Sequence, residues 1–135
     1  MNNQKLSSLA PLVLRLGMGV VVAWFGTSQI HNPADWADLV PGWASDLSGL
    51  SGLLIVNING WFEVIAALLL ALGFWVRWVG LLLAVHLFVI ASTFGFTSPT
   101  GIRDYGLSFA LLSIFFAGQD KYCLGKKEVV VTENK

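Results

Sequence analysis

The chain has 135 residues, 56% of them hydrophobic and 12% charged, with a mean hydropathy of +0.72. Soluble domains carry about 25% charged residues, so this composition points to a membrane protein of a single domain spanning 1–135. Eight basic and eight acidic residues give no net charge; without a basic face the chain is not expected to bind nucleic acid. Its one cysteine, Cys123, excludes an intramolecular disulfide, a CxxC pair and a cysteine-based zinc cluster.

Four apolar segments emerge at the ~20-residue length that crosses a bilayer. The first, about residues 9–30, is too long for the roughly 7–15-residue core of a signal peptide and reads as a retained helix, with Pro11 in its opening turn. A polar stretch from His31 to Gly52 follows. Asn32-Pro33-Ala34-Asp35-Trp36 has an N-cap residue, a first-turn proline and an early acid. Trp36, Leu39, Val40 and Trp43 then fall at helical spacing, which predicts one short interfacial helix or, alternatively, an irregular loop held by its tryptophans. The second span is about 53–75, the third about 78–96 and the fourth about 101–118. A polar tail, 119–135, follows, of which Glu128 to Lys135 is expected to be mobile. The fold class expected is therefore an all-α membrane protein: an antiparallel bundle of four transmembrane helices.

Lys5, Arg77, Lys121, Lys126 and Lys127 fall on the side shared by both termini, and Arg103 alone on the other. The distribution of Lys and Arg predicts cytoplasmic termini in a bacterial-type plasma membrane. Trp75 and Trp78, flanking Arg77, are placed at the inner interface with Tyr122; Trp36, Trp43 and Trp61 mark the outer one. Small residues at Gly19, Ala23, Gly26, Gly60, Ala66, Ala67 and Ala71 permit close helix approach.

Chemistry is concentrated in few residues. At ~1.5 Å rise per residue, Glu63 and His86 both lie near mid-bilayer, where an ionisable group is expensive and faces a partner or a cavity. On adjacent antiparallel helices they are expected to meet, sharing a proton or both going neutral. Alternatively, Arg103 reaches Glu63 and holds it ionised. Asn59 is one turn before Glu63 on the same face. Arg15, Gly19, Val22, Gly26 and Gln29 form one stripe of the first helix, with Arg15 able to snorkel at the inner end. Arg103-Asp104 is expected at the entry of the fourth helix, Asp104 meeting the positive end of its dipole. Glu63, His86, Arg103, Asp104, Asn59 and Gln29 are the candidate ligand-binding residues, with Glu63 and His86 the catalytic candidates. Arg15, Arg77, Trp75 and Trp78 read as structural or interface residues. One central histidine argues against a metal or a bis-His haem.

Leu14-Arg15-Leu16-Gly17, Trp24-Phe25-Gly26, Asn59-Gly60-Trp61-Phe62-Glu63 with Leu70-Ala71-Leu72-Gly73, Arg77, Arg103-Asp104-Tyr105-Gly106-Leu107 and Gly118-Gln119-Asp120-Lys121-Tyr122-Cys123-Leu124 stand in an order and spacing that resembles the DoxX family of small four-helix membrane proteins. Two positions depart from it: Gln29 stands where members often have lysine, and Gly125 where many have an acid. The resemblance implies a membrane subunit or accessory protein of a quinone-linked redox system, with a redox partner protein or a homo-oligomer. In that reading Glu63 and His86 exchange protons with a bound quinone, Arg103 orients it, and Trp24, Phe62 and Phe88 form apolar walls. A non-catalytic interaction or assembly protein, and a pathway for protons or small molecules, are the alternatives.

Overall fold

The computed structural model describes residues 3–125, and side chains from Ser8 onward. The expected tail beyond Gly125, with Lys126 and Lys127, lies outside the described residues. Among the described residues six helices follow in order: α1 (Asn3–His31), α2 (Pro33–Ala37), α3 (Gly42–Ser48), α4 (Gly52–Leu72), α5 (Val76–Phe94) and α6 (Pro99–Ala117). No strand occurs among the described residues.

Three stretches, Ser8–His31, Gly52–Leu72 and Val76–Phe94, are long and apolar enough to cross a membrane. Only 28%, 33% and 39% of their apolar windows are buried inside the protein. Most of the apolar surface thus faces outward, which in water would be a very large exposed patch and in a bilayer is simply the lipid face. α6 matches α5 in length, but Arg103, Asp104 and a polar first turn keep it out of this group.

The long helices pair as two tight hairpin-like units, α1 with α4 and α5 with α6, with lighter contact between α1 and α6 and between α4 and α5. The close approach of α1 and α4 depends on glycine. A Cβ on Gly60 would sit 2.8 Å from the Gly26 carbonyl oxygen and 3.1 Å from the Gln29 Cβ, and one on Gly26 would sit 2.7 Å from the Gly60 oxygen. With Gly19 against Ala67, these contacts fix an antiparallel register that sets Gln29 beside Asn59 and Glu63. Gly60→Ala forces the backbones apart and is expected to destabilise the protein by about 1–3 kcal/mol. A lowered thermal midpoint in detergent, by near-native expression and circular dichroism, checks it.

Several local expectations are corrected. The single interfacial helix is two: the ring of Pro41 disfavours helix at Val40, so α2 ends at Ala37 and α3 starts after Pro41. Asn32 occupies the cap position of α2 but its side chain makes no cap hydrogen bond. Pro11 lies inside α1, which begins at Asn3. α4 stops at Leu72 because Gly73 adopts φ +82° and accepts the wrap-back of the chain, its amide and that of Phe74 donating to Leu69. A Cβ there would also lie 2.6 Å from Cys123. The cap of α6 is Ser98, placing Arg103 and Asp104 in its second turn.

Candidate functional site

Glu63 projects from α4 into the interior and is 3% exposed. Its two carboxylate oxygens accept from different amides: Oε2 from Gln29 Nε2 at 2.8 Å and Oε1 from Asn59 Nδ2 at 3.1 Å. Asn59 Nδ2 also donates to Gln29 Oε1 at 2.8 Å, closing a three-membered polar ring across the α1–α4 contact. The ring exists because Gln29 follows Gly26 by one turn and Asn59 precedes Glu63 by one turn, so both amides arrive on the buried face.

His86 approaches from α5. Its Nε2 is 3.4 Å from Glu63 Oε1, in a geometry that makes no hydrogen bond, and this buried nitrogen has no hydrogen-bond partner among the described residues. A buried polar atom left in this way is uncommon and calls for an occupant or a role. The imidazole is held edge-on against the Phe62 ring, centroids 5.0 Å apart.

Arg103 does not serve Glu63. Its Nε donates to Asp104 Oδ1 at 2.8 Å, and its guanidinium lies over the Phe25 ring, 5.0 Å from the centroid. Asp104 is 3% exposed, so the Arg103 cation neutralises a carboxylate on its own helix. Of the six candidate ligand-binding residues, the structure gathers Glu63, Gln29, Asn59 and His86 into one cluster and leaves Arg103 with Asp104 as a second.

Both clusters line a single cavity of about 300 Å³ bounded by α1, α4, α5 and α6 and flanked by α2 and α3. Its remaining walls are mostly apolar, with Phe25, Trp36, Val56 and Leu87 among them. Phe25 takes the place expected of Trp24, which is 61% exposed. Phe88 turns away to stack edge-on with Tyr105, and of the three expected walls Phe62 alone packs against the cluster. Trp36, in the polar stretch, carried no periodic signal that would tie it to Glu63.

Arg15 forms a separate centre. Rather than snorkelling, it is 1% exposed. Nε donates to Asp120 Oδ2 at 2.8 Å, and Nη1 donates to the Leu70 carbonyl at 2.8 Å and to that of Ala71. The last carbonyls of a helix lack intrahelical partners, and a guanidinium with five donors reaches two of them, that of Leu70 being shared with the Gly73 amide, while pairing with a carboxylate. Burial alone would push the Asp120 carboxyl up; the Arg15 bond, the Tyr122 amide and the Arg15 charge together bring it below its ordinary value. Beside it, burial pushes the Cys123 thiol up. Cys123 is 7% exposed, so alkylation by iodoacetamide at neutral pH is expected to be slow in the folded protein and fast after unfolding, as mass spectrometry would show. Arg77 is exposed and packs beside Gly118 at the end of α6. Trp75 and Trp78, each 70% exposed, flank it.

Among the described residues no group of three or more His, Cys, Asp or Glu side chains is placed to hold a metal ion. No curated protein and no solved structure matches the chain. A sequence model of the DoxX family matches residues 10–96, a stretch that takes in most of α1, the α2–α3 segment, α4 and α5 with Gln29, Asn59, Glu63 and His86, and the chain belongs to the DoxX family.

Proposed function

We propose that this chain is a plasma-membrane protein of four crossings, α6 being the fourth, with both termini in the cytoplasm, and that it binds a quinone in the cavity at Glu63 and His86 as a subunit or accessory protein of a quinone-linked redox system. One observation carries the reading: a buried imidazole nitrogen without a hydrogen-bond partner among the described residues stands 3.4 Å from a carboxylate, on the wall of a largely apolar cavity in a membrane protein. A quinone fits those residues, since it is an apolar ring whose carbonyl oxygens accept hydrogen bonds, and it supplies two-electron, two-proton redox chemistry when bound.

The chain's own part is binding and proton handling. His86 Nε2, protonated, donates a hydrogen bond to an oxygen placed in the cavity; deprotonated, it exchanges a proton with Glu63 Oε1. Gln29 and Asn59 hold the carboxylate in one orientation, so the acid does not swing away when its proton leaves. The apolar walls limit the entry of water to the exchange. The charged second turn of α6 is compatible with crossing, because Arg103 pairs with Asp104 and stacks on Phe25. Electrons would come from a partner protein.

The test is binding of a tail-bearing benzoquinone to the protein in lipid nanodiscs, read by quenching of tryptophan fluorescence. His86→Phe keeps the ring and removes the donor, and is expected to weaken binding by about tenfold, the worth of one net hydrogen bond. Equal binding in the variant and the native protein would remove the quinone reading. The closed ring of Gln29, Asn59 and Glu63 favours one competitor, a purely structural lock between α1 and α4, under which His86→Phe has no effect and no quinone binds.

A further inference from the structure

α4 and α5 are joined by only Gly73, Phe74 and Trp75, yet they pack against each other far more loosely than either packs against its other neighbour. Toward the end away from that turn a shallow groove runs between α3 and α4 and reaches α5 at His86, lined by Leu47, Ile58, Phe62 and His86. Asn59 and His86 line this groove and the cavity alike. Ile58 is 54% exposed and Leu47 84%, both on the apolar exterior. α3 has no extensive packing on any long helix. The polar cluster is therefore reached from the side of the bundle through an apolar slot.

We infer that the slot between α3 and α4, ending at His86 of α5, is a lateral entrance from the outer leaflet and the seat of the ligand's apolar tail, so that the ligand is a lipid-soluble quinone with a long hydrocarbon or prenyl chain. This rests on the reading that His86 and Glu63 hold the head. Continuity is the reason for naming the occupant: a long chain on a head at His86 outgrows a cavity of about 300 Å³, and the groove that shares Asn59 and His86 with that cavity offers it an apolar path along Phe62, Ile58 and Leu47. Passage through the slot keeps the chain in hydrocarbon throughout, so entry needs no transfer of that chain into water.

The experiment compares a decyl-tailed benzoquinone with its tail-less head in nanodiscs, both referred to concentration in the membrane, for the native protein and for Ile58→Trp, which fills the slot. Tailed quinone is expected to lose about tenfold in affinity while the tail-less head keeps its own. Leu47→Trp, on the exposed face of α3, is a second variant expected to act in the same direction if Ile58→Trp fails to fold. A brominated tail is also expected to quench Trp43, an effect lost in Trp43→Phe. Unchanged affinity for the tailed quinone in both folded variants overturns the inference, as does an equal loss for tailed and tail-less forms. In either case the head site stands. Binding of neither form to the native protein overturns the head site, and this inference with it.

Discussion

Asp120→Ala is expected to destabilise the protein by about 3–5 kcal/mol, because it leaves the Arg15 guanidinium buried without its counter-ion. Arg15 and Asp120 have side chains only 2% and 3% exposed, so water cannot take over from the missing carboxylate. The pair joins three segments at one end of the bundle: α1 through Arg15, the α4 terminus through the carbonyls of Leu70 and Ala71, and the chain after α6 through Asp120. Asp120 also accepts from the Tyr122 amide at 2.8 Å, so its loss frees the turn that carries Cys123. Arg15→Lys cannot reproduce the forked contacts and is expected to fall between the native protein and Arg15→Ala. Thermal unfolding in detergent measures the series, and the double variant Arg15→Met with Asp120→Leu should recover much of the loss. The Asp120 carboxyl lies below its ordinary value when folded. Its contribution is then fully present above the unfolded-state value and is lost as the pH falls through the lower folded one. Acid should erase the difference between native and Asp120→Asn.

Glu63→Gln is expected to lower quinone-dependent turnover of the assembled system by about 10²-fold or more, the range for loss of a positioned acid–base group. The substitution keeps the size of the side chain and can keep one of its two accepted hydrogen bonds, so folding should change far less than activity. That contrast decides between the readings. If the ring of Gln29, Asn59 and Glu63 only locks α1 to α4, Glu63→Gln lowers the thermal midpoint and leaves turnover per folded molecule intact. Quinol formation in membranes, normalised to folded protein by size exclusion, supplies both quantities.

The helices were legible because apolar runs of bilayer length leave few other readings, and the buried face of α1 was legible from the spacing of Arg15, Gly19, Val22, Gly26 and Gln29. Glu63 and His86 were singled out by depth alone, since two ionisable groups near mid-span on consecutive helices share a level. What spacing could not give was partner choice. Arg103 has Asp104 as its immediate chain neighbour, and a contact within one helix outcompetes a reach across the bundle to Glu63. The burial of Arg15 was hidden for the same reason, because its partner lies 105 residues away in a segment that reads as a polar tail. The break at Pro41 was present in the sequence, but the helical spacing of Trp36, Leu39, Val40 and Trp43 runs across it.

The central claim, that the cavity beside His86 and Glu63 is where a quinone sits, is tested most directly by photolabelling the protein in nanodiscs with an azidoquinone and locating the adducts by mass spectrometry. Adducts are expected on cavity-lining residues of α4 and α5 around Asn59 and His86, abolished by excess unlabelled quinone and reduced in His86→Phe. Adducts confined to the exposed ends near Trp75 and Trp78, or unaffected by competitor, would contradict it.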